Sequence, residues 1–152
     1  MPGTKFSSMK LNNDSTIGKD IGLLILRVAF AFALFYGHGF GKLSVIFGGQ
    51  EIHFMDPIGI GAKLSFSLAA FAEGICAIFL LVGLFSRFAS FILAINFVVI
   101  FWFHAFVAKD GFNVLELRLL YLCCFLALLF TGPGRISLDQ LLFSKRKSIF
   151  YK

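Results

Sequence analysis

Four apolar stretches, each about long enough to cross a bilayer, constrain this chain more than any other feature of its sequence. They cover residues 21–41, 64–84, 88–107 and 115–131. About 20 apolar residues in helical form span the hydrocarbon. Hydrocarbon offers no partner to a free backbone N–H or C=O, so such stretches must be helices rather than open strands. The expected fold is therefore all-α: a four-helix transmembrane bundle over 21–131, with a polar tail at 1–20 and a basic segment at 132–152. No signal-peptide cleavage pattern precedes the first span, which is expected to be retained. Only 14% of the residues are charged and 59% are hydrophobic, whereas about a quarter of a soluble domain is charged. The lipid bilayer is the solvent this sequence fits.

The breaks between the spans set their connections. The short Gly83-Leu84-Phe85-Ser86-Arg87 turn makes the second and third spans antiparallel neighbours. Gly132-Pro133-Gly134 ends the fourth, because proline has no N–H to donate and glycine frees the backbone. Ser137, followed by Gln140, is a capping-box pattern for a short amphipathic helix expected at the membrane surface. The loop at 42–63 is itself rather apolar, which predicts that it packs on the bundle mouth or dips into the interface. With four spans, Lys5, Lys10, Lys19, Arg87, Arg135, Lys145, Arg146, Lys147 and Lys152 share one side, against Lys42, Lys63, Lys109 and Arg118 on the other. The richer side is cytoplasmic by the positive-inside rule, so the N and C termini are expected to be cytoplasmic. The net charge of +6 is spread along the chain and gathered at its ends. That pattern suits an anionic membrane surface and argues against nucleic acid as a partner.

Two ionisable residues fall plainly inside spans, Arg27 and Glu73. Each costs about 3 kcal/mol or more at membrane depth, which makes each a candidate functional residue. Counting about 1.5 Å per residue from the expected span ends puts Arg27 about 20 Å and Glu73 about 13 Å below the outer boundary. A buried Arg27–Glu73 pair is the natural way to offset two desolvation costs, with Asn96 at a similar depth. A second polar group gathers at the outer mouth: His38, Lys42, His104 and Glu116. Helical periodicity places Arg27, Ala31, Leu34 and His38 on one face, Ala69, Ala70, Glu73, Cys76 and Ala77 on a second, and Glu116, Leu120, Cys123 and Ala127 on a third. If these faces converge, a polar stripe runs from mid-membrane to the mouth. Arg27, His38, Lys42, Glu73, His104 and Glu116 are then the candidate ligand or proton site.

The same residues admit a plainer account, in which a buried charge pair fixes helix register and the mouth residues sit at headgroup level. Glu51 and His53 are expected to face solvent. Cys76, Cys123 and Cys124 lie in apolar runs without redox spacing and read as small buried hydrophobes. Two isolated histidines are weak grounds for a haem or metal site, and no metal is expected. No nucleotide loop, nucleophile triad or metalloprotease motif is present in the sequence.

Taken in order, Arg27, then His38-Gly39 with Lys42, Glu73, Gly83-Leu84 with Arg87, His104, the ELRLLYL segment at 116–122 and GPGRISLD at 132–139 form a specific combination. In it the chain resembles the DoxX family of small bacterial membrane proteins, over nearly everything from 23 to 139. The resemblance implies a four-helix bundle in the bacterial cytoplasmic (inner) membrane. It carries over Arg27, His38, Gly39, Lys42, Glu73, Arg87, His104 and Glu116 as matches to the family's polar positions. Arg118 departs from the pattern, since a small apolar residue is more usual there, and is expected to face lipid headgroups away from the site. The family looks related to DoxD, the partner of a thiosulfate:quinone oxidoreductase, and its members are often described as quinol-oxidase subunits or redox-stress proteins.

Three functions stay open on these observations. A redox-associated subunit would bind a quinone or another small lipophilic molecule along the polar stripe, with Glu73 or a histidine moving protons. Arg27 would hold Glu73 ionised or neutralise a quinol anion, and electrons would come through a partner subunit or the bound quinone. A non-enzymatic scaffold or assembly partner would use the same charges only to hold the helices. A small transporter would need a homo-oligomer, because four helices without an internal repeat enclose no path.

Overall fold

The computed structural model describes residues 5–147, with side-chain surroundings over 16–143. Every regular element among the described residues is helical. The first helix, α1, runs unbroken through Lys5–Leu34, a π turn at Phe35–Gly39 and Phe40–Phe47. The second, α2, joins Ala62–Ala70, a π turn at Phe71–Cys76 and Ala77–Val82. Next come α3, Ser86–Trp102 with a π turn at Phe103–Val107, then α4, Phe112–Thr131, and α5, Leu138–Lys147. The stretches Thr16–Phe47, Ala62–Val82, Ser86–Val107 and Phe112–Thr131 are each long and apolar enough to cross a membrane. The chain is thus an all-α four-helix membrane bundle, and the lipid bilayer is its environment. Residues 16 and 132 lie at one end of it, the terminal end; the long loop lies at the other, the loop end. Lys152 and the side chains of Lys5, Lys10, Lys145, Arg146 and Lys147 lie outside the described residues.

The first helix is longer than its hydropathy predicts. It already runs through the polar residues from Lys5 and continues past Gly41 to Phe47, so the loop shrinks to 48–61. Gly41 sits inside the helix with open space beside it. The stop comes instead at Gly48-Gly49, where Gly49 takes φ +62°, a backbone conformation that glycine adopts without steric penalty.

Small residues let the helices approach. Ala31, Ala72, Cys76, Ala77, Ala89 and Ala94 are buried between them together with Leu34, Leu80, Leu93 and Leu128. In a bilayer no hydrophobic driving force separates helix from lipid, so close van der Waals packing of this kind holds the bundle. Phe97 brings α3 against α4, with ring centroids 4.9 Å from Tyr121 and 5.5 Å from Phe125. Phe30 of α1 meets Tyr121 edge-on at 5.5 Å. The large residues Phe32, Phe88, Phe91 and Phe130 point outward, where lipid is their solvent.

The inward face of α4 differs from the one its sequence predicts. Tyr121, Cys124, Phe125 and Leu128 are buried, whereas Glu116, Leu120, Cys123 and Ala127 are all exposed. A helix that is apolar all round has no amphipathic contrast to orient it, and its one acidic residue points away from the bundle interior.

At the terminal end the chain closes on itself. Arg27 Nη1 donates to the Pro133 carbonyl at 2.9 Å and Nη2 to the Ile136 carbonyl at 3.0 Å. The Asp139 carboxylate accepts from the backbone N–H groups of Phe85 (2.7 Å) and Ser86 (2.8 Å), satisfying donors at the start of α3. Its own N–H donates to the Gly83 carbonyl at 2.8 Å. Gly83 allows this twice over: its φ is +75°, and a Cβ there would lie 2.7 Å from Arg27 Nη1. Ser137 Oγ accepts from the Gln140 N–H at 3.3 Å, the capping interaction its spacing predicts.

Candidate functional site

The predicted Arg27–Glu73 pair is not formed. Because α1 continues to Phe47, Arg27 lies 20 residues, about 30 Å, from its loop-end terminus, while Glu73 lies 11 residues, about 16 Å, from the start of α2. The two side chains belong to different layers. Arg27 holds the segment after α4, and Glu73 pairs with Lys42 across the α1–α2 contact.

Around Glu73 the structure assembles a compact polar cluster. One carboxylate oxygen, Oε2, takes the Lys42 ammonium in a short ion pair. The other, Oε1, accepts from Asn96 Nδ2 at 3.1 Å. The Glu73 side chain is 4% exposed and that of Lys42 18%. An ionised carboxylate only accepts, and here both of its oxygens are engaged, one of them in the stronger charge-assisted contact.

Three widened helical turns carry the polar residues of this end: His38 in Phe35–Gly39, Glu73 in Phe71–Cys76 and His104 in Phe103–Val107. Such π turns are rare and occur often at functional sites. Each inserts a residue and rotates the rest of its helix about the axis. In α1 the buried face therefore runs Arg27, Ala31, Leu34 and then Gly39, and His38 is turned to the exposed rim. Gly39 in turn lies against the backbone of Glu73.

Next to the Lys42–Glu73 pair is a cavity of about 470 Å³. Its walls are mostly apolar, with Leu68, Phe71, Ile95, Phe97 and Ile100 among them, while His38, Lys42, Glu73, Asn96, His104, Arg118 and Tyr121 supply polar atoms. Of the six candidate residues, the structure brings together His38, Lys42, Glu73 and His104. Arg27 stands at the other end, and Glu116 is exposed outside the cavity lining. Arg118, expected to face lipid headgroups, lines the cavity instead, with Nη1 donating to its own helix at the Val114 carbonyl, 2.7 Å away. It lies three residues before Tyr121, on the face of α4 that does turn inward.

Two aspartates complete the site, and neither stands out in the sequence. Asp110 Oδ2 meets His104 Nδ1 at 2.6 Å. The ionised carboxylate can only accept, so Nδ1 carries the proton and Nε2 is left available. Asp56 Oδ1 accepts from Ser65 Oγ at 2.6 Å and from the Ile60 N–H at 3.1 Å, and Oδ2 accepts from the Gly61 N–H. The Ser65 hydroxyl foremost, then these backbone N–H groups, hold the Asp56 carboxyl below the ordinary aspartate range. Asp56 thereby pins the loop whose Phe54, Met55, Pro57 and Ile58 border the cavity; Phe54 meets Phe66 edge-on, centroids 5.3 Å apart. The Asp-Pro pair before a helix, and the Lys-Asp-Gly turn after His104, are the weak turn signals that mark these positions. Glu51 and His53 face outward as expected, 83% or more exposed and 3.6 Å apart. Cys76 and Cys124 are buried free thiols, whereas Cys123 is exposed on α4.

The model of the DoxX family matches residues 22–105, from the first turns of the opening span through His104. The chain belongs to the DoxX family. The matched stretch includes Arg27, His38, Gly39, Lys42, Glu73, Asn96 and His104, so both the terminal-end arginine and the charge cluster of this DoxX protein fall within it. Asp110 and Arg118 lie beyond its end. No curated protein and no solved structure matches the chain.

Proposed function

We propose that this DoxX protein binds a quinone, or another small lipophilic molecule with a polar head, in the loop-end cavity. It acts as a redox-associated subunit of the bacterial inner membrane with its termini in the cytoplasm. The coincidence of an apolar-walled cavity of about 470 Å³ with a buried carboxylate held by lysine and asparagine supports this reading most directly. Ligand sites are mostly apolar, with a few convergent polar groups that fix orientation.

The residues present fit a quinone head. Its two carbonyl oxygens need donors, and Lys42, Arg118, Asn96 and His104 carry them at the cavity wall. When bound, a quinone supplies a reversible two-electron, two-proton couple, with electrons exchanged through a partner protein. The chain's own residues orient the head, exclude water with the walls, and move protons. Glu73 is the buried group able to take one up, and His104, held by Asp110, is a group of the cavity wall able to exchange one. The test is binding of a decyl-tailed benzoquinone analogue to the purified protein in detergent. Wild type binds, Glu73→Gln weakens binding about tenfold, equivalent to about 1.4 kcal/mol, and Arg27→Ala binds as wild type. Absence of binding by folded wild type overturns the reading.

A second reading, a non-enzymatic scaffold or assembly partner, is favoured by the terminal end. There Arg27 and Asp139 bond backbone groups and tie α1, the α2–α3 turn and the segment after α4 into one unit. It accounts for Arg27 and leaves the cavity unexplained.

A further inference from the structure

The two helices that border the cavity on its outer flank do not pack along their full length. α2 lies close against α3 over Phe71–Val82, and the two part along Ala62–Ala70, toward the loop end. Leu68 of α2 lies beside this gap, and Phe71 of α2 and Ile95 of α3 lie at the end of it where the two helices close together. All three line the cavity, and they are 51%, 41% and 49% exposed. Met55 and Ile58 of the loop also line the cavity and are 55% and 49% exposed, so the wall is thin on two sides, at the loop and at this gap. The surroundings of the gap are hydrocarbon, since it lies within two spans.

The approach from the loop end has a different character. Phe54, Met55, Pro57 and Ile58 lie over the cavity there, and Asp56 spends its carboxylate on pinning their loop to Ser65, Ile60 and Gly61. A water-soluble ligand would have to displace this apolar cover. A lipid-soluble one has only to move sideways, and a hydrocarbon tail left in the gap exchanges lipid neighbours for Leu68, Phe71 and Ile95 without crossing water.

We infer that the cavity opens laterally into the bilayer between α2 and α3, and that it takes an amphiphile whose hydrocarbon tail stays in the gap while its acceptor-bearing head reaches Lys42 and Arg118. This rests on the ligand-binding reading above. The gap then confers specificity: Leu68 and Ile95 select for the tail, and the Lys42–Glu73–Asn96 cluster selects for the head.

The test compares two probes in lipid nanodiscs of phosphatidylcholine and phosphatidylglycerol, a decyl-tailed benzoquinone and the same ring without the tail, with concentrations corrected for partition into the lipid. Wild type is expected to bind the tailed probe at least tenfold more tightly than the tailless one. Leu68→Trp and Ile95→Trp, which add bulk at the gap, are expected to lower tailed binding at least tenfold and tailless binding by a smaller factor. Phe91→Trp, on the outward face of α3 and not part of the cavity wall, retains both. Equal affinity of wild type for the two probes overturns the lateral opening while leaving the ligand-binding reading intact, and it does so without any variant. Unchanged tailed binding in both Leu68→Trp and Ile95→Trp also overturns it. Binding of neither probe by wild type removes both proposals.

Discussion

Gly39 of α1 lies directly against the backbone of Glu73 in α2: a Cβ built on Gly39 would sit 2.1 Å from the Glu73 carbonyl oxygen. No other residue fits there unless the helices move apart. The same close crossing brings Lys42, nearly one turn further along α1, onto the Glu73 carboxylate. Packing and ion pair therefore depend on one another, and the glycine is as much a part of the site as the charges.

Gly39→Ala is expected to cost about 2–3 kcal/mol, the magnitude of forcing extra volume into a packed contact, because backbone faces it and cannot swing aside. It should also weaken quinone binding by displacing Lys42. Gly37→Ala, two residues earlier with nothing within 4 Å, should change the melting temperature little. Thermal unfolding of both variants in one detergent checks the contrast. A Gly39→Ala variant as stable as Gly37→Ala would show that the crossing does not depend on the glycine.

Much of this fold is legible in the sequence, because hydropathy fixes spans wherever backbone groups must be satisfied internally. The buried face of α2, from Ala69 to Ala77, reads correctly from periodicity, since its small residues and one carboxylate mark it. The faces of α1 beyond Leu34 and of α4 do not. A π turn shifts the register by a residue without a sequence signal of its own, moving His38 to the rim and Gly39 inward. In α4, Leu, Phe and Cys occur on every side, so the lone Glu116 misdirects the assignment, while Arg118, set aside for its departure from the family pattern, lines the cavity. The Arg27–Glu73 pair fails for a related reason: a span end misjudged by six residues moves a side chain about 9 Å along the axis.

Arg27→Ala is expected to destabilise the protein by about 2–3 kcal/mol, because two backbone carbonyls lose a charged donor. It should also expose the Gly132–Ser137 segment to protease. Combined with Glu73→Gln, its effect should be additive within about 0.5 kcal/mol, since the two residues share no partner. A coupling well above that, measured by unfolding of the two single variants and the double variant, would show that the ends of the bundle communicate.

The loop over the cavity should respond to acid in one direction only. The Asp56 carboxyl is held below the ordinary aspartate value by Ser65 and the Gly61 and Ile60 N–H groups. A group whose folded-state pKa is depressed contributes stability that is present above its unfolded value and lost as pH falls through the folded one. The loop is thus expected to stay pinned at neutral and mildly acid pH and to loosen only below about pH 4, near and under the ordinary aspartate value. Asp56→Asn should be loose at every pH. Amide hydrogen exchange of Ile60 and Gly61, corrected for intrinsic rate, reads this; protection that falls already between pH 7 and pH 5 would place the anchor elsewhere.

The Lys42–Glu73 pair should be asymmetric. Lys42→Met leaves Glu73 buried, 4% exposed, with Asn96 as its remaining donor among the described residues, and breaking a buried pair in this way costs about 3 kcal/mol or more. Glu73→Gln instead leaves a lysine that is 18% exposed and five residues from the end of α1. Its long stem lets the ammonium reach toward the interface, so this loss should be smaller, about 1 kcal/mol. The Lys42→Met, Glu73→Gln double variant buries no uncompensated charge and should be more stable than Lys42→Met alone. Chemical unfolding of the three variants in the same detergent orders them. If Glu73→Gln proves the more damaging, the carboxylate is holding more than Lys42 and Asn96, and the α1–α2 crossing depends on it directly.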